Sequence, residues 1–364
     1  MLSVGIVGLP NVGKSTLFNA LLKSQLAEAA NFAFTTIEPN VGIVEVPDER
    51  LQKLAEIENS ARVVPTTIKF VDIAGLIAGA HKGEGLGNKF LSHIREVDAI
   101  AQVVRCFENE KVMHVGGKIN PKSDIETIET ELILADLETL NKKIYATEKD
   151  AKSGQKTAIA ALPVYKKIEK AFGDGKTIAK LDLSDDEKEL VQDANFLTVK
   201  PFIYVLNVEE KDATETPEDL IEKFELEALV RPEQAVVISA KIEEELSQLP
   251  EIDQAELLKE FGLEKPGLNR LVEVGYATLD LISFLTAGEM EARAWTVHRG
   301  ARAPEAAGKI HTDFEKKFIK AEVVSYDDFV NLGGWNGAKP AGKARLEGKQ
   351  YEIKDGDVIF VHHG

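Results

Sequence analysis

Short apolar runs separated by amphipathic stretches dominate the first two thirds of the chain. The runs that predict strands lie at residues 1–8, 66–71, 99–107, 201–207 and 234–239, and residues 16–26 have the apolar spacing of a helix. Parallel neighbours cannot be joined by a tight turn, so helical patterns between strands indicate crossover connections. The sequence therefore predicts an α/β fold with a mainly parallel sheet.

A long polar insertion follows the strand at 99–107. Residues 124–152 place apolar side chains near helical spacing and almost lack Gly and Pro, and a second helical run follows at 157–171. We interpret residues 124–199 as a helical hairpin or coiled-coil arm that projects from the sheet domain. An ordinary packed helical subdomain is the alternative, because heptads are not sustained for long.

The C-terminal region has a different pattern. Short β-like runs at 321–324 and 357–361, with glycines between them, predict a small, separate β-rich domain. Its 12 basic and 13 acidic residues leave it near neutral, so a polyanionic partner would meet this end more readily than the rest. The predicted domains are a sheet domain made of 1–123 and 200–277, the arm at 124–199, and the C-terminal domain at 278–364.

Composition narrows the class of protein. The net charge of −17 disfavours indiscriminate binding to nucleic acid or to anionic membranes. Cys106 is the single cysteine, which rules out an internal disulfide and indicates a reducing compartment. The first residues lack the basic segment of a signal peptide, and no apolar run approaches the roughly 20 residues of a membrane span. We expect a soluble, cytoplasmic protein.

The motif GLPNVGKS at residues 8–15 matches the P-loop pattern of nucleoside triphosphatases. An apolar strand precedes it and an amphipathic helix follows it, which argues against a chance glycine-rich turn. In such a loop, backbone N–H groups converge on phosphate oxygens, Lys14 bridges the β- and γ-phosphates, and the Ser15 hydroxyl binds Mg²⁺. The expected phosphate contacts come from Asn11, Val12, Gly13, Lys14, Ser15 and Thr16.

Two further segments are candidates for the metal and the γ-phosphate. Asp72 ends a predicted strand, where it would hold Mg²⁺ through water, and the Gly75 N–H would meet the γ-phosphate. Thr35 or Thr36 would complete the magnesium shell, and we favour Thr36. The glycine-rich stretch after Gly75 is typical of a loop that the γ-phosphate orders.

The residue after Gly75 is Leu76, where Ras-like enzymes keep a glutamine that positions water, so catalytic help must come from elsewhere or hydrolysis is slow. His81 and His114 are both candidates, each with a structural role as its alternative. Arg95 and Arg105 are further candidates for stabilising charge, although ordinary ion pairing suits each of them better.

Two segments after the later strands are placed to contact the base. Asn207-Val208-Glu209-Glu210 and Ser239-Ala240-Lys241 occupy the places where GTPases carry N-K-x-D and S-A-K. The longer Glu210 replaces the aspartate that accepts two guanine N–H groups, and its extra methylene shifts the carboxylate by about 1.5 Å. This change favours a base other than guanine, with Val208 backbone groups as partners for adenine.

These motifs, together with NFAFTTIEPN and FVDIAGLIAGAHKGEGLGNKFL, resemble the YchF group of Obg-like ATPases, which belong to the TRAFAC class of P-loop proteins. The resemblance covers essentially the whole chain. It implies an inserted helical arm and a C-terminal TGS-like domain of β-grasp fold. It also implies a preference for ATP over GTP, dependence on Mg²⁺, slow turnover and association with the ribosome, through its large subunit or as a whole.

The resemblance also assigns residues. The catalytic histidine of the family matches His114, which we therefore prefer to His81, and Asn11 takes the place that helps to bind K⁺ in related cation-dependent enzymes. The TGS-like domain and the arm are expected to contact ribosomal or other RNA, using the basic run Arg299, Arg302, Lys309, His311, Lys316, Lys317 and Lys320. A solvated charged face is the alternative for each of these residues.

The preferred hypothesis is a monomeric, ribosome-associated ATPase that acts as a nucleotide-dependent switch. A GTPase of the Obg type, or an RNA- or ribosome-binding module with structural nucleotide, are the alternatives.

Overall fold

The computed structural model describes residues 2–29, 40–73, 86–108 and 119–364. The chain forms two compact units: Met1–Ile43 with Lys69–Val274, and Val44–Ile68 with Gly275–Gly364. The second unit thus includes a segment from the first quarter of the chain, which the sequence pattern assigned to the sheet domain. The domain boundaries predicted above stay predictions.

A six-stranded sheet lies at the centre of the first unit, with the order β2-β4-β1-β5-β6-β7. Its strands are β1 (Ser3–Gly8), β2 (Val41–Glu45), β4 (Thr67–Asp72), β5 (Ala99–Arg105), β6 (Phe202–Asn207) and β7 (Ala235–Ile238). Strand β1 pairs in parallel with β4 and β5, β5 pairs with β6, and β6 with β7. The predicted α/β class and mainly parallel sheet are confirmed, and the motif-bearing strand ends lie at one edge.

Helices connect these strands and cover the sheet. They are α1 (Lys14–Ala29), α3 (Leu86–Glu96), α4 (Pro121–Lys152), α5 (Lys156–Gly173), α6 (Asp185–Val191), α7 (Pro217–Lys223), α8 (Ala240–Leu246), α9 (Glu251–Glu260) and α10 (Gly267–Thr278). No helix in the described part of the chain is both long enough and apolar enough to cross a membrane.

The insertion forms an antiparallel helical hairpin. Asn120 caps the start of α4 by accepting a hydrogen bond from the Ser123 N–H at 3.1 Å, and Gly154, with φ of 89°, lies in the turn before α5. The first half of α4 joins the sheet core through Ile125, Ile128 and other apolar side chains. Its second half joins a separate core with α5 and the segment that returns to β6. The arm is therefore a hairpin with a packed base, which combines features of both interpretations.

Buried polar contacts fix the base of the arm to the sheet. Glu129 of α4 accepts hydrogen bonds from the Tyr204 hydroxyl at 2.7 Å and from Lys180 at 2.7 and 2.8 Å. Asp136, also on α4, accepts from the Leu197 N–H at 2.8 Å and from the N–H and hydroxyl of Thr198 at 2.8 and 2.7 Å. Because unpaired groups at such depth are costly, these contacts specify how α4 lies on the sheet.

The second unit is built on another six-stranded sheet, of order β11-β10-β12-β8-β9-β3. Its strands are β3 (Val63–Val64), β8 (Leu281–Ala287), β9 (Ala292–His298), β10 (Phe318–Ser325), β11 (Arg345–Glu347) and β12 (Asp357–His363). Its helices are α2 (Arg50–Glu58), α11 (Ala303–Ile310), α12 (Thr312–Lys316), α13 (Tyr326–Asn331) and α14 (Trp335–Ala338). Apolar side chains of α11 share a core with one face of the sheet, and those of α2, α13 and α14 share a core with the other.

Replacing Asp136 with Ala should destabilise the base of the arm. The change leaves the buried amides of Leu197 and Thr198 without their acceptor, at a cost of about 1–3 kcal/mol for each unsatisfied group. We expect faster hydrogen exchange at these two amides and a lower midpoint of thermal unfolding. Glu138→Ala on the same helix is the matched control, because Glu138 is exposed. Equal exchange in both variants would contradict the structural role of Asp136.

Candidate nucleotide-binding site

The loop between β1 and α1 has the backbone of a phosphate-binding turn. Asn11 and Gly13 both have positive φ, 66° and 94°, and the Leu17 N–H donates to the Gly13 carbonyl at 3.0 Å to begin α1. A side chain at Gly13 would collide with the Asn207 amide, so glycine is required there by space as well as by conformation. The loop therefore presents the N-terminus of α1 toward a ligand, an arrangement that suits phosphate.

Lys14 and Asp72 form an ion pair across this loop. The lysine stands at the first position of α1 and the aspartate at the last position of β4, two neighbouring places at the edge of the sheet. The contact brings together the cation expected on the phosphates and the carboxylate expected near the metal. Their pairing also neutralises both charges at the loop.

Asn207 links the phosphate loop to the loop after β7. Its amide Nδ2 donates to the Val12 carbonyl at 2.8 Å, and its Oδ1 accepts from the Ala240 N–H at 3.0 Å. The side chain is buried and stands at the last position of β6. One amide thus uses both its donor and its acceptor to hold two functional loops at a fixed separation.

A buried carboxylate, on Glu243, connects the helix that follows the loop at 239–241 to the start of α10. Glu243, on the first turn of α8, accepts hydrogen bonds from the N–H groups of Gly267 and Leu268 at 2.7 and 3.2 Å, at the start of α10. Burial raises the pKa of Glu243, while these amides oppose the shift. The connection between α8 and α10 leaves the start of α8 little freedom.

Ion pairs surround the position of the predicted base contacts. Lys241 Nζ lies 2.6 Å from Glu210 Oε1, and Lys211 Nζ lies 2.9 Å from Glu209 Oε2. The hydrogen bond to Glu210 raises the pKa of Lys241 above its ordinary value. The Val208 N–H donates to the Ile238 carbonyl at 2.9 Å, and its side chain is buried. Of the Val208 backbone groups, only the carbonyl is then available to a base.

These segments enclose one cavity of about 490 Å³, a size typical of small-molecule sites. Its lining residues are Asn11, Gly13, Thr16, Phe107, Asn207, Val208, Glu209, Glu210, Ser239, Ala240 and Lys241. The Ser239 hydroxyl is buried and finds no hydrogen-bond partner among the described residues. The cavity thus joins the phosphate loop to both predicted base segments.

The structure brings together most of the residues selected from the sequence. The exceptions are Thr36, Gly75 and His114, together with their alternatives Thr35 and His81, all of which lie outside the described residues. Arg95 lies on α3 and is not among the residues that line the cavity. Arg105 is buried, donates from Nε to the Phe107 carbonyl at 3.1 Å and lies 4.7 Å from the Phe107 ring centroid. These contacts hold the guanidinium beside Phe107, which lines the cavity.

Sequence reasoning missed Phe107 and Glu209 as lining residues. Phe107 follows β5 directly, and side chains after parallel strands face the ligand crevice, so an aromatic residue there was a usable signal. Cys106 precedes it but is a buried core side chain, and this burial raises the pKa of its thiol far above the ordinary value. A neutral, buried thiol is a poor nucleophile.

The donor set suits a magnesium ion that arrives with a nucleotide. Across the described ranges, no cluster of three or more His, Cys, Asp or Glu side chains could hold a metal. The residues at the loop are a hydroxyl, on Ser15, and a single carboxylate, on Asp72. Mg²⁺ keeps several waters and is often held by one or two protein groups together with phosphate oxygens.

Asn207→Ala should reduce the free energy of nucleotide binding more than it reduces the free energy of unfolding. The change leaves the Val12 carbonyl and Ala240 N–H unpaired and frees two loops that share a ligand, so we expect affinity for ATP to fall about tenfold. Fluorescent-nucleotide titration measures this loss. Asn141→Ala, at an exposed position on α4, is the control and should bind as the unaltered chain does. Equal affinity for all three proteins would show that the bridge does not organise the site.

Two family models match the chain. A model described as a 50S ribosome-binding GTPase matches residues 3–151, and a C-terminal model, named for the YchF GTPases and described as a protein of unknown function, matches residues 281–363. The first match contains the phosphate loop and Asp72. The second falls within the second compact unit.

Curated relatives match over almost the whole length. Proteins called ribosome-binding ATPase YchF are 54% identical in Haemophilus ducreyi, over 98% of this chain and 97% of that protein, and 49% identical in Bacillus subtilis, over 98% of each. A solved structure titled as the Schizosaccharomyces pombe YchF GTPase is 37% identical and covers 99% of this chain and 97% of that one, with a TM-score of 0.87. With identity of this extent and a shared fold, the chain belongs to the YchF family.

Proposed function

We propose that the chain is a ribosome-binding ATPase that converts ATP to ADP and phosphate and uses its nucleotide state as a regulatory signal. One observation carries the proposal: a single cavity joins the phosphate loop to the segments at 207–210 and 239–241. Relatives named ribosome-binding ATPases, about half identical over their full length, support the activity and the partner.

The Lys14–Asp72 pair suggests how the nucleotide is accepted. Phosphate oxygens would replace Asp72 as the partner of Lys14, and the released carboxylate would face the magnesium through water. Ser15 would bind the metal directly, and backbone amides from Asn11 to Thr16 would surround the phosphates. Mg²⁺ neutralises charge on the phosphates when it is bound.

Residues outside the described ranges complete the proposed site. Thr36 would be a second magnesium ligand, the Gly75 N–H would contact the γ-phosphate, and His114 would orient the attacking water or stabilise charge. A potassium ion held with the help of Asn11 would add positive charge near the γ-phosphate. In this scheme γ-phosphate loss frees the segment at 75–90, which changes how the chain meets its partner.

Base selection is proposed to depend on the ion pair between Glu210 and Lys241. In guanine-specific relatives the residue at this position accepts two N–H groups from the base, but here its carboxylate already has a cationic partner 2.6 Å away. Glu210 is thus a poor acceptor for guanine for two reasons: its side chain is longer than that of aspartate, and its carboxylate is already paired with Lys241. Phe107 and the Ser239 hydroxyl, which line the same cavity, are the proposed contacts to adenine.

The proposed partner is the ribosome, contacted through RNA by the arm and by the C-terminal unit. In the basic run at 299–320, Lys309, Lys316, Lys317 and Lys320 have no ion-pair partner in the ranges that the structure describes. Near the turn of the arm Tyr145 is 78% exposed, and several exposed lysines flank it. Unpaired cations are available to phosphates, because no internal partner must be released first. A cytoplasmic monomer fits this role.

Lys14→Ala should abolish ATP turnover in millimolar Mg²⁺, because the phosphates lose their principal cation. Phosphate release measures turnover, and sedimentation with ribosomes, with and without ATP, measures the partner. Under the proposal the unaltered chain binds ribosomes to different extents with ATP and with ADP, whereas the variant shows no such difference. Equal rates of turnover in K⁺ and in Na⁺ would show that a potassium ion has no part in the mechanism.

Lys23→Ala, on α1 beyond the loop, is the matched control for Lys14→Ala and should keep its turnover. Two results would contradict the proposal. One is hydrolysis of ATP by the Lys14 variant at the ordinary rate. The other is ribosome binding that no nucleotide alters, which would leave a binding module with structural nucleotide.

Lys241→Met should weaken discrimination against GTP. The change removes the partner of Glu210, so we expect affinity for GTP relative to ATP to rise about threefold at low salt, the scale of an exposed ion pair. The gain should shrink as salt is added. Competition of both nucleotides for a fluorescent analogue measures the ratio.

The adjacent pair provides a close control. Lys211→Met releases Glu209, also at the edge of the cavity, and should leave the ratio unchanged. Adding Glu210→Gln to Lys241→Met should cancel the gain, because the freed carboxylate is its cause. A gain that survives in the double variant, or that appears equally in Lys211→Met, would show that Glu210 does not set base preference.

A further inference from the structure

One side of the second unit's sheet has a partly uncovered end. In the antiparallel pairing of β10 and β12, Lys320 lies opposite His362 and Glu322 lies opposite Phe360. Alternate side chains point to the same side of a sheet, so these four share a face. Further along the strands, Val324 and Val358 on this face are buried in the core with α2, α13 and α14. Phe360, by contrast, is 52% exposed.

Aromatic and cationic groups adjoin each other on this uncovered end. The Phe360 ring centroid lies 5.1 Å from that of His362 and 6.3 Å from that of Trp335, both in edge-on geometry. Lys339 Nζ lies 5.6 Å from the Trp335 centroid and 5.9 Å from that of Phe360. We call Lys320, Glu322, Trp335, Lys339, Phe360 and His362 the stacking face.

The negative charge of the stacking face is already compensated. Glu322 lies 2.9 Å from Lys339 Nζ and 2.8 Å from His362 Nε2. The hydrogen bond from Lys339 is the main reason that the pKa of Glu322 lies below its ordinary value, with His362 contributing in the same direction. Lys320 has no ion-pair partner among the described residues. An incoming phosphate would thus find one unpaired lysine. Lys339 has three N–H donors and can contact the phosphate while it keeps its bond to Glu322, and so can His362 in its protonated form.

This combination fits a single-stranded nucleic acid better than the alternatives. A half-exposed aromatic ring accepts any base by stacking, and flanking cations follow the phosphates. Sheet faces that recognise RNA place aromatic side chains on adjacent strands in this way. A duplex hides its base faces. A site for an apolar peptide would surround Phe360 with apolar groups alone, whereas here Lys339 and His362 flank it together with Trp335.

The spacing of the face also suits extended RNA. Successive side chains on one side of a strand are separated by roughly 6.6 Å, twice the rise per residue. The Glu322–Phe360 row and the Lys320–His362 row are neighbours at this separation. A base over Phe360 would then place the adjoining phosphate near the second row. Leu346, opposite Glu322 on β11 and exposed, extends the surface at its outer edge.

We propose that the stacking face binds single-stranded RNA, with a base stacked on Phe360 and phosphates contacted by Lys320, Lys339 and His362. The proposal deepens the RNA contact proposed above and rests on it for its biological partner. It does not require ATP hydrolysis. Failure of one proposal is therefore distinguishable from failure of the other.

The test uses the full chain and a fluorescent ten-nucleotide oligouridine at low salt, with binding followed by anisotropy. Phe360→Ala should lower affinity about tenfold, and Phe360→Trp should retain it, because loss of one stacking ring weakens binding on this scale. Lys320→Ala should reduce the dependence of affinity on salt by about one phosphate contact. Ile319→Ala is the control, because Ile319 is also exposed, at 58%, and adjoins the face in sequence.

ATP turnover and thermal unfolding should be equal in the Phe360 and Ile319 variants, which separates a binding defect from misfolding. Any of three outcomes would overturn the proposal. The first is that the unaltered chain does not bind the oligouridine, and the second is that Phe360→Ala binds it as tightly as Ile319→Ala does. The third is that a duplex of the same length competes equally well with the oligouridine. Loss of ribosome sedimentation in Phe360→Ala without loss of oligouridine binding would also overturn it, since the face would then contact ribosomal protein.

Discussion

The site depends on two hydrogen bonds made by one buried side chain. Asn207 holds the Val12 carbonyl and the Ala240 N–H at 2.8 and 3.0 Å, so the loops after β1 and β7 keep a fixed separation. A hydrophobic contact could bring these loops together, but it would not set their register. The directional geometry of an amide does, because its donor and acceptor point in different directions. A ligand that spans both loops benefits from this preorganisation.

Much of the first unit could be predicted because local and global signals agree there. The predicted strands at 66–71, 201–207 and 234–239 match β4, β6 and β7 within one or two residues at each end. Buried parallel strands are short, continuous apolar runs, and the phosphate loop has a fixed spacing between its strand and helix. The same agreement identified Asn207 and the segment at 239–241, since ligands bind beyond the carboxyl ends of such strands.

Other features could not be predicted because they depend on long-range contacts. Strand β3 has only two residues, and its pairing with β9 joins Val63 to Ala292, far away in sequence. No local pattern encodes such a partner. The ion pair between Glu210 and Lys241 likewise needs the geometry of two loops 31 residues apart. Phe107 is an exception, because its position directly after a parallel strand is a local signal for the ligand crevice.

The arm and the nucleotide site are connected through one strand. Tyr204, which binds Glu129 of the arm, lies three residues before Asn207 on β6, so both contacts act on the same rigid element. Breaking the Glu129 contacts would leave a buried charge uncompensated, which is strongly unfavourable. These contacts therefore oppose sliding of the base of the arm along the sheet. A nucleotide-dependent change in partner contact must come from segments other than β6 and the base of the arm, or from bending of the hairpin beyond its packed base. Tyr145 lies in that outer part of the hairpin.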